Sequence, residues 1–231
     1  MSKCLIIPDV HGRTFWKKAK EKIDEVDQVV FLGDYLDPYS HEGITEEEAI
    51  DNFKEILEFR NHYPDKVILL IGNHDSSYIW DVSLCECRHD YKHDAEIREL
   101  FSKNMNNFRL YYSVPGYLFS HAGIYKEWVI TFLKNGLDLN IASLKEWNET
   151  QEWQCLGLYD FYRGGYSHYG SCIWADIRDS FNNKLWEEDK YYQIVGHTQL
   201  ESKPYIADKI ACLDVRKCFV LDTEARKIEE L

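Results

Sequence analysis

The chain is short of positive charge. Lys and Arg number 27 against 40 Asp and Glu, for a net charge of −13. Binding to a phosphate backbone rests on clustered Lys and Arg, so general nucleic-acid binding is excluded. Long apolar runs are also missing, and none reaches the roughly 18–20 residues that cross a bilayer. No leader-like stretch precedes the first apolar segment. Seven Cys are scattered and odd in number, which is not the pattern of a disulfide framework. A cytoplasmic protein without membrane contact is therefore expected. No repeat, low-complexity block or Gly/Ser linker divides the 231 residues, so residues 1–231 are expected to form one domain.

Aromatic residues, by contrast, are plentiful: Phe, Trp and Tyr make up 15% of the chain, with seven Trp and sixteen Tyr. Core and loop packing accounts for most such residues, and a substrate-stacking surface is the alternative reading. Cys85, Cys87, His89 and His93 carry zinc-capable donors. Their spacing matches no standard knuckle, so a chance grouping in a polar loop is expected.

The N-terminal half alternates strand and helix. Residues 3–8 form a short apolar run ending in Asp9-Val10-His11-Gly12. A second run, 28–32, is stopped by Gly33-Asp34, and a third, 67–71, by Gly72-Asn73-His74-Asp75. These runs do not alternate in polarity, as expected of parallel strands covered on both faces. Thr14 is expected to cap a helix over about 15–25, and Thr45 with Glu48 a capping box for a helix to about 61. A helical excursion is expected over about 77–108 and a loop-rich insertion over about 135–172, with one helix at about 143–153 and loop from 155. Pro115-Gly116 reads as the turn of a hairpin whose second strand ends in His121-Ala122-Gly123. A helix to about 134 follows, and 173–186 reads as partly helical. Strands follow at about 191–195, 205, 210–213 and 218–221, the first ending in Gly196-His197-Thr198.

Five strand ends thus deliver His, Asp or Asn, most of them beside Gly. In open α/β sheets, ligands collect at the carboxyl ends of strands. Imidazole, carboxylate and amide oxygen suit divalent ions such as manganese, iron(II), zinc or nickel. Asp9 and His11 lie two apart, so on an extended strand they point the same way. Asp34 offers two oxygens and can bridge two ions. A lone Asp-x-His or Gly-His is a weak signal. Five in order, all at strand ends, point to a metal centre.

Together these segments resemble the calcineurin-like metallophosphoesterase superfamily over about residues 3–200. Gly33-Asp34-Tyr35-Leu36-Asp37 with a single late His, Gln199 standing where many members carry a second, looks more like its phosphoprotein phosphatase branch. The resemblance implies an α/β fold of two packed mixed β-sheets flanked by helices in four layers. It implies Asp9, His11 and Asp34 on one ion, and Asp34, Asn73, His121 and His197 on the other, with manganese as the expected metal. His74 protonates the leaving group and Asp37 orients it. The branch usually places Arg after the second Asp to grip phosphate; here that position is Pro38. Arg178 is the first candidate for the missing cation, with Arg13 and Arg163 as competitors.

Two ions about 3.5–4 Å apart activate a water for in-line attack on phosphorus. The expected activity is phosphomonoester hydrolysis, on phosphoprotein or a small ester. The alternatives are a diester or dinucleoside polyphosphate, and a non-catalytic scaffold. The expected partner is the phosphoester substrate. The loops that would select it, about 38–45, 81–108 and 147–172, carry no readable motif, and nothing in the sequence fixes the oligomeric state.

Overall fold

A computed structural model describes residues 2–80, 87–134 and 153–231. Among them, two mixed sheets pack face to face. The first has the spatial order β11 (Lys227–Glu230), β10 (Phe219–Asp222), β1 (Lys3–Ile7), β2 (Gln28–Phe31), β3 (Val67–Leu70), β4 (Phe108–Arg109). Its strands β1 to β4 are parallel, and β10 runs antiparallel to both of its neighbours, β1 and β11. The second sheet has the order β5 (Tyr111–Val114), β6 (Tyr117–Ser120), β7 (Tyr192–Val195), β9 (Ile210–Cys212), β8 (Tyr205–Ile206).

Strand side chains alternate between faces, and here both faces are covered. Cys4, Ile6, Val30, Leu32, Ile68 and Leu70 meet Phe119, Ile194, Ala211 and Leu213 between the sheets. Leu5, Ile7, Val29, Phe31, Val67 and Leu69 point the other way, onto Phe53 and Ile56 of α2 (Glu46–His62) and Phe101 of α4 (Asp94–Lys103). Each fully buried aliphatic side chain stabilises this arrangement by about 1.5–3 kcal/mol. The outer face of the second sheet is covered by Tyr125, Ala175, Ile177 and Leu185. The layered fold is therefore the one that the runs and the resemblance imply.

Local signals were followed where they were strong. The capping box forms as expected: Glu48 N–H donates to Thr45 Oγ1 (3.1 Å) and Thr45 N–H to Glu48 Oε2 (2.8 Å). The hairpin closes across Pro115-Gly116 with Val114 opposite Tyr117, Gly116 taking φ +82°, which residue i+2 of a type II turn requires. The expected helix over 15–25 is instead a 310 turn, Phe15–Lys17, followed by the short α1 (Lys18–Lys22). Thr14 lies outside the extended region (φ −103°, ψ 4°) and its side chain caps nothing. Strand β11 has no counterpart in the sequence reading, because its residues KIEE are largely polar and edge strands need no apolar run. Within the 77–108 excursion, α4 is the described helix; residues 81–86 lie outside the described residues, as do 135–152 and with them most of the helix expected at 143–153.

The segment read as loop contains 310 turns at Trp153–Gly157 and Phe161–Arg163 and has polar anchors of its own. Asp160 accepts from Arg163 N–H (3.0 Å) and Asp176 N–H (2.9 Å), and Asp179 from Gly170 N–H (3.1 Å). Burial first, then the bond to Asp160 and its charge, pushes the Asp179 carboxyl up to about 8. The folded state therefore keeps a proton that an unfolded Asp releases near pH 4, and stability falls as pH rises from about 4 to about 8. Asp179→Asn is expected to flatten that fall, raising Tm above wild type at alkaline pH and not at acid pH. Thermal melts of both proteins across this range check it, and parallel profiles would refute it.

Candidate metal centre

Every residue of the expected cluster follows the carboxyl end of a strand. Asp9 and His11 follow β1, Asp34 and Asp37 follow β2, and Asn73 and His74 open α3 (Asn73–Ile79) after β3. His121 follows β6 and His197 follows β7. Strands β1, β2 and β3 are parallel neighbours, and so are β6 and β7. All these residues are buried. Four of them, His11, Asp34, Asp37 and His197, hold positive φ of 44°, 53°, 57° and 62°. A non-glycine residue there costs on the order of 1–3 kcal/mol and is retained where surroundings over-determine it, often at functional sites.

Hydrogen bonds fix which ring nitrogen faces inward. His11 Nδ1 donates to Leu36 O (2.7 Å) and His121 Nδ1 to Leu32 O (2.8 Å). Each ring then presents a bare Nε2 to the same carboxylate oxygen, Asp34 Oδ2, at 3.6 and 3.5 Å. His121 Nε2 also faces Asn73 Oδ1 at 3.0 Å and His197 Nδ1 at 3.1 Å. Lone pairs facing lone pairs repel unless a cation lies between them. Ligand atoms of His11, Asp34 and His74 lie within 4.8 Å of one another, as do those of Asp34, His121 and His197. The two groups share Asp34. Asp9 is beside them, both its oxygens accepting from His197 N–H (3.0 and 3.2 Å).

The electrostatics fit cations as well. Burial first, then the charges of Asp9 and Asp75, raises the Asp34 carboxyl well above the carboxylate range. Burial holds His11 and His197 well below the usual imidazole value and lowers His121. Burial thus favours the neutral imidazole, the form that binds metals. His197 Nε2 is buried without a hydrogen-bond partner among the described residues. A crowded carboxylate beside neutral imidazoles is the donor set of a divalent-metal site.

A carboxylate to which sequence reasoning gave no role builds this cradle. Asp75 accepts from Asp34 N–H (2.7 Å), Tyr35 N–H (3.0 Å) and Gly72 N–H (2.8 Å). It thereby ties the β2 turn to the β3 turn. The available signal was its position three residues after Gly72, where an acid caps a helix start. Gly72 itself is held by sterics. A Cβ there would lie 2.1 Å from Asp34 Oδ1 and 2.7 Å from His121 Cε1. Gly72→Ala is expected to fold less stably and to lose metal affinity by at least about tenfold, the usual loss when ligand orientation is disturbed. Metal titration beside a thermal melt checks this, and wild-type metal affinity would contradict it.

The expected acid lies against the cluster. His74 Nδ1 and Asp37 Oδ2 are 2.7 Å apart, and Tyr78 OH donates to Asp37 Oδ1. Asp90 N–H in turn donates to Tyr78 OH (2.8 Å). Burial first, then Arg88 and His121, pushes His74 down to about 3, while burial pushes Asp37 up to about 7. The 2.7 Å contact ties the Nδ1 edge of the ring to the Asp37 carboxyl and so fixes how the ring is turned. Tyr78 was not foreseen.

Of the Cys/His grouping at 85–93, the described members have other contacts. His89 is spent on Asp94 (2.8 Å) and Ser77 (3.0 Å), and His93 on Asp90 (2.6 Å). Cys87 Sγ points at Asn73 O, and Cys85 lies outside the described residues. The arginines also separate. Arg178 pairs with Asp176 (2.7 Å) and lies over Tyr162, with 49% of its side chain exposed. Arg163 pairs with Asp176 (3.0 Å) and donates to Thr198 Oγ1 (3.0 Å), next to His197. Arg13 pairs with Glu42 (2.8 Å) and reaches Asp9 O (3.3 Å). Arg88, absent from the sequence-based candidates, donates to the Asp37 carbonyl (2.9 Å).

Two layered sheets with a shared carboxylate between imidazole groups at their strand ends define a metallohydrolase class of site. The profile of the calcineurin-like phosphoesterases matches residues 2–208, and the chain belongs to that family. It is a hydrolase acting on phosphate esters, a metal-dependent phosphoesterase. Solved structures of similar fold include a cold-active protein-tyrosine phosphatase from the psychrophile Shewanella sp., at 17% identity and TM-score 0.59, covering 100% of this chain and 80% of that one. Another is a protein serine/threonine phosphatase from Saccharomyces cerevisiae, at 14% identity and TM-score 0.56, covering 100% and 79%. No curated protein sequence matches the chain.

Proposed function

We propose that this phosphoesterase hydrolyses phosphomonoesters at a centre of two divalent ions, manganese first among them. Asp9, His11 and Asp34 hold one ion; Asp34, Asn73, His121 and His197 hold the other. The observation that carries the reading is the approach of two bare Nε2 atoms to one oxygen, Asp34 Oδ2, at 3.6 and 3.5 Å. When bound, the ions supply positive charge for phosphoryl oxygens and an acidified water.

The chain's own groups do the rest. Asp37 orients His74, and Tyr78 holds Asp37. An arriving phosphate dianion favours the imidazolium, so His74 gains its proton as substrate docks and gives it from Nε2 to the leaving oxygen. Monoester use is supported by the two structural relatives, one a protein-tyrosine phosphatase and the other a protein serine/threonine phosphatase. Cleavage of a diester or dinucleoside polyphosphate is the second reading. The exposed rings of Phe161, Tyr162 and Tyr166, in the segment that carries Arg163, favour it as a stacking surface.

The deciding experiment reloads metal-stripped protein with manganese, iron(II), zinc or nickel. Each form is assayed on nitrophenyl phosphate, its bis ester, a phosphopeptide and dinucleoside polyphosphates. A higher kcat/KM for monoesters is the expected result. A preference for the bis ester or the dinucleotides would move the assignment to the second reading, and inertness towards all of them would sink both.

A further inference from the structure

We infer that Arg88 is the phosphate-contacting cation of this site, laid over the Tyr39 ring in place of the arginine that Pro38 displaces. The inference rests on the phosphomonoesterase reading above.

Pro38 brings no charge and no N–H. It leads into Tyr39, which is extended (φ −78°, ψ 128°) and sets its ring edge-on to His11 with centroids 5.2 Å apart. Arg88, 51 positions beyond Asp37, lays its guanidinium 3.8 Å from the centre of that ring. Its Nε and Nη2 donate to the carbonyl of Asp37, at 3.3 and 2.9 Å. Asp37 is the residue whose carboxylate holds His74. Stacking and a two-atom anchor together fix the plane of the guanidinium, and a fixed guanidinium is preorganised for a tetrahedral anion.

Charge compensation separates Arg88 from its neighbours. Arg13 and Arg216 pair with Glu42, and Arg163 and Arg178 pair with Asp176. Among the described residues, Arg88 pairs with no carboxylate and its Nη1 donates to nothing. The residue is exposed at the rim of the cluster, where an incoming phosphate can reach it. A surface guanidinium with a ring below, a carbonyl beside and no counter-ion awaits an anion. Arg88 makes and breaks no bond: water oxygen bonds to phosphorus, the ester P–O bond breaks, the leaving oxygen takes the proton of His74, and the proton that the water sheds passes to solvent, from which His74 is reprotonated.

The test uses the full chain reloaded with manganese. Arg88→Ala is expected to lower kcat/KM for nitrophenyl phosphate by about 10- to 100-fold, the span of one or two charge-assisted hydrogen bonds. The inhibition constant of inorganic phosphate should rise by a similar factor, with metal content unchanged. The bis ester carries one charge fewer and should lose less. Added guanidinium chloride should restore part of the rate to Arg88→Ala and none to His74→Asn, which a merely structural arginine would not allow. Arg88→Gln keeps a donor for the Asp37 carbonyl while removing the charge, so it decides the matter if the alanine variant folds poorly. Unchanged phosphate inhibition in a folded, metal-loaded Arg88→Gln would overturn the assignment alone. Wild-type protein that neither binds phosphate nor turns over any monoester would overturn the functional reading, and the assignment with it.

Discussion

His74→Asn is expected to keep its full complement of metal and to lose about 10²–10⁴ in kcat, the usual contribution of a positioned general acid. The geometry separates two roles for this ring. Its ligand-type atoms lie within 4.8 Å of those of His11 and Asp34, close enough for a metal ligand. Its Nδ1, however, is engaged by Asp37 at 2.7 Å, and Asp37 is fixed in turn by Tyr78. A ring steered by a carboxylate is built to manage a proton. Metal analysis of the variant distinguishes the roles: two equivalents with slow turnover support the acid, and a lost equivalent with slow turnover makes His74 a ligand. Undiminished turnover would remove His74 from the mechanism altogether.

Asp34→Asn is expected to have the larger effect, and in two opposite directions. An amide keeps an oxygen for the His74 N–H (3.0 Å in the wild type), so the turn itself survives. It cannot serve as an anionic bridge. Metal content should fall below two per chain, and kcat/KM should fall by at least about 10³, because several kcal/mol of transition-state charge stabilisation are lost. Stability of the metal-free protein should change the other way. Burial and the charges of Asp9 and Asp75 raise the Asp34 carboxyl, so the fold loses stability as pH rises from the ordinary carboxylate value of about 4 towards that raised value. Metal-free Asp34→Asn should therefore melt above metal-free wild type at neutral pH, while metal-loaded wild type melts above both. Equal melting of the two metal-free proteins would show that the carboxylate crowd carries no strain.

Much of this centre was legible because short-range rules wrote it. Strands β1, β2 and β3 are apolar on both faces and stop at Gly or polar residues, so their ends could be placed closely and the donors counted. The capping box at Thr45 and the turn at Pro115-Gly116 are equally local. What was not legible depends on partners remote in sequence. Asp75 gains its role only when the β2 and β3 turns come together, where a Cβ on Gly33 would lie 2.4 Å from Gly72 N. Arg88 has no motif; Tyr39, 49 positions earlier in the numbering, and the Asp37 carbonyl select it. Thr14 shows the converse, a capping residue type whose backbone angles prevent the cap.

The central claim is that two ions share Asp34. Manganese titrated into stripped protein and followed by electron paramagnetic resonance tests it directly. The account predicts an exchange-coupled pair once two equivalents are bound, with ester hydrolysis rising alongside that signal. An isolated six-line manganese spectrum at every stoichiometry, or full hydrolysis by chelated protein, would contradict it.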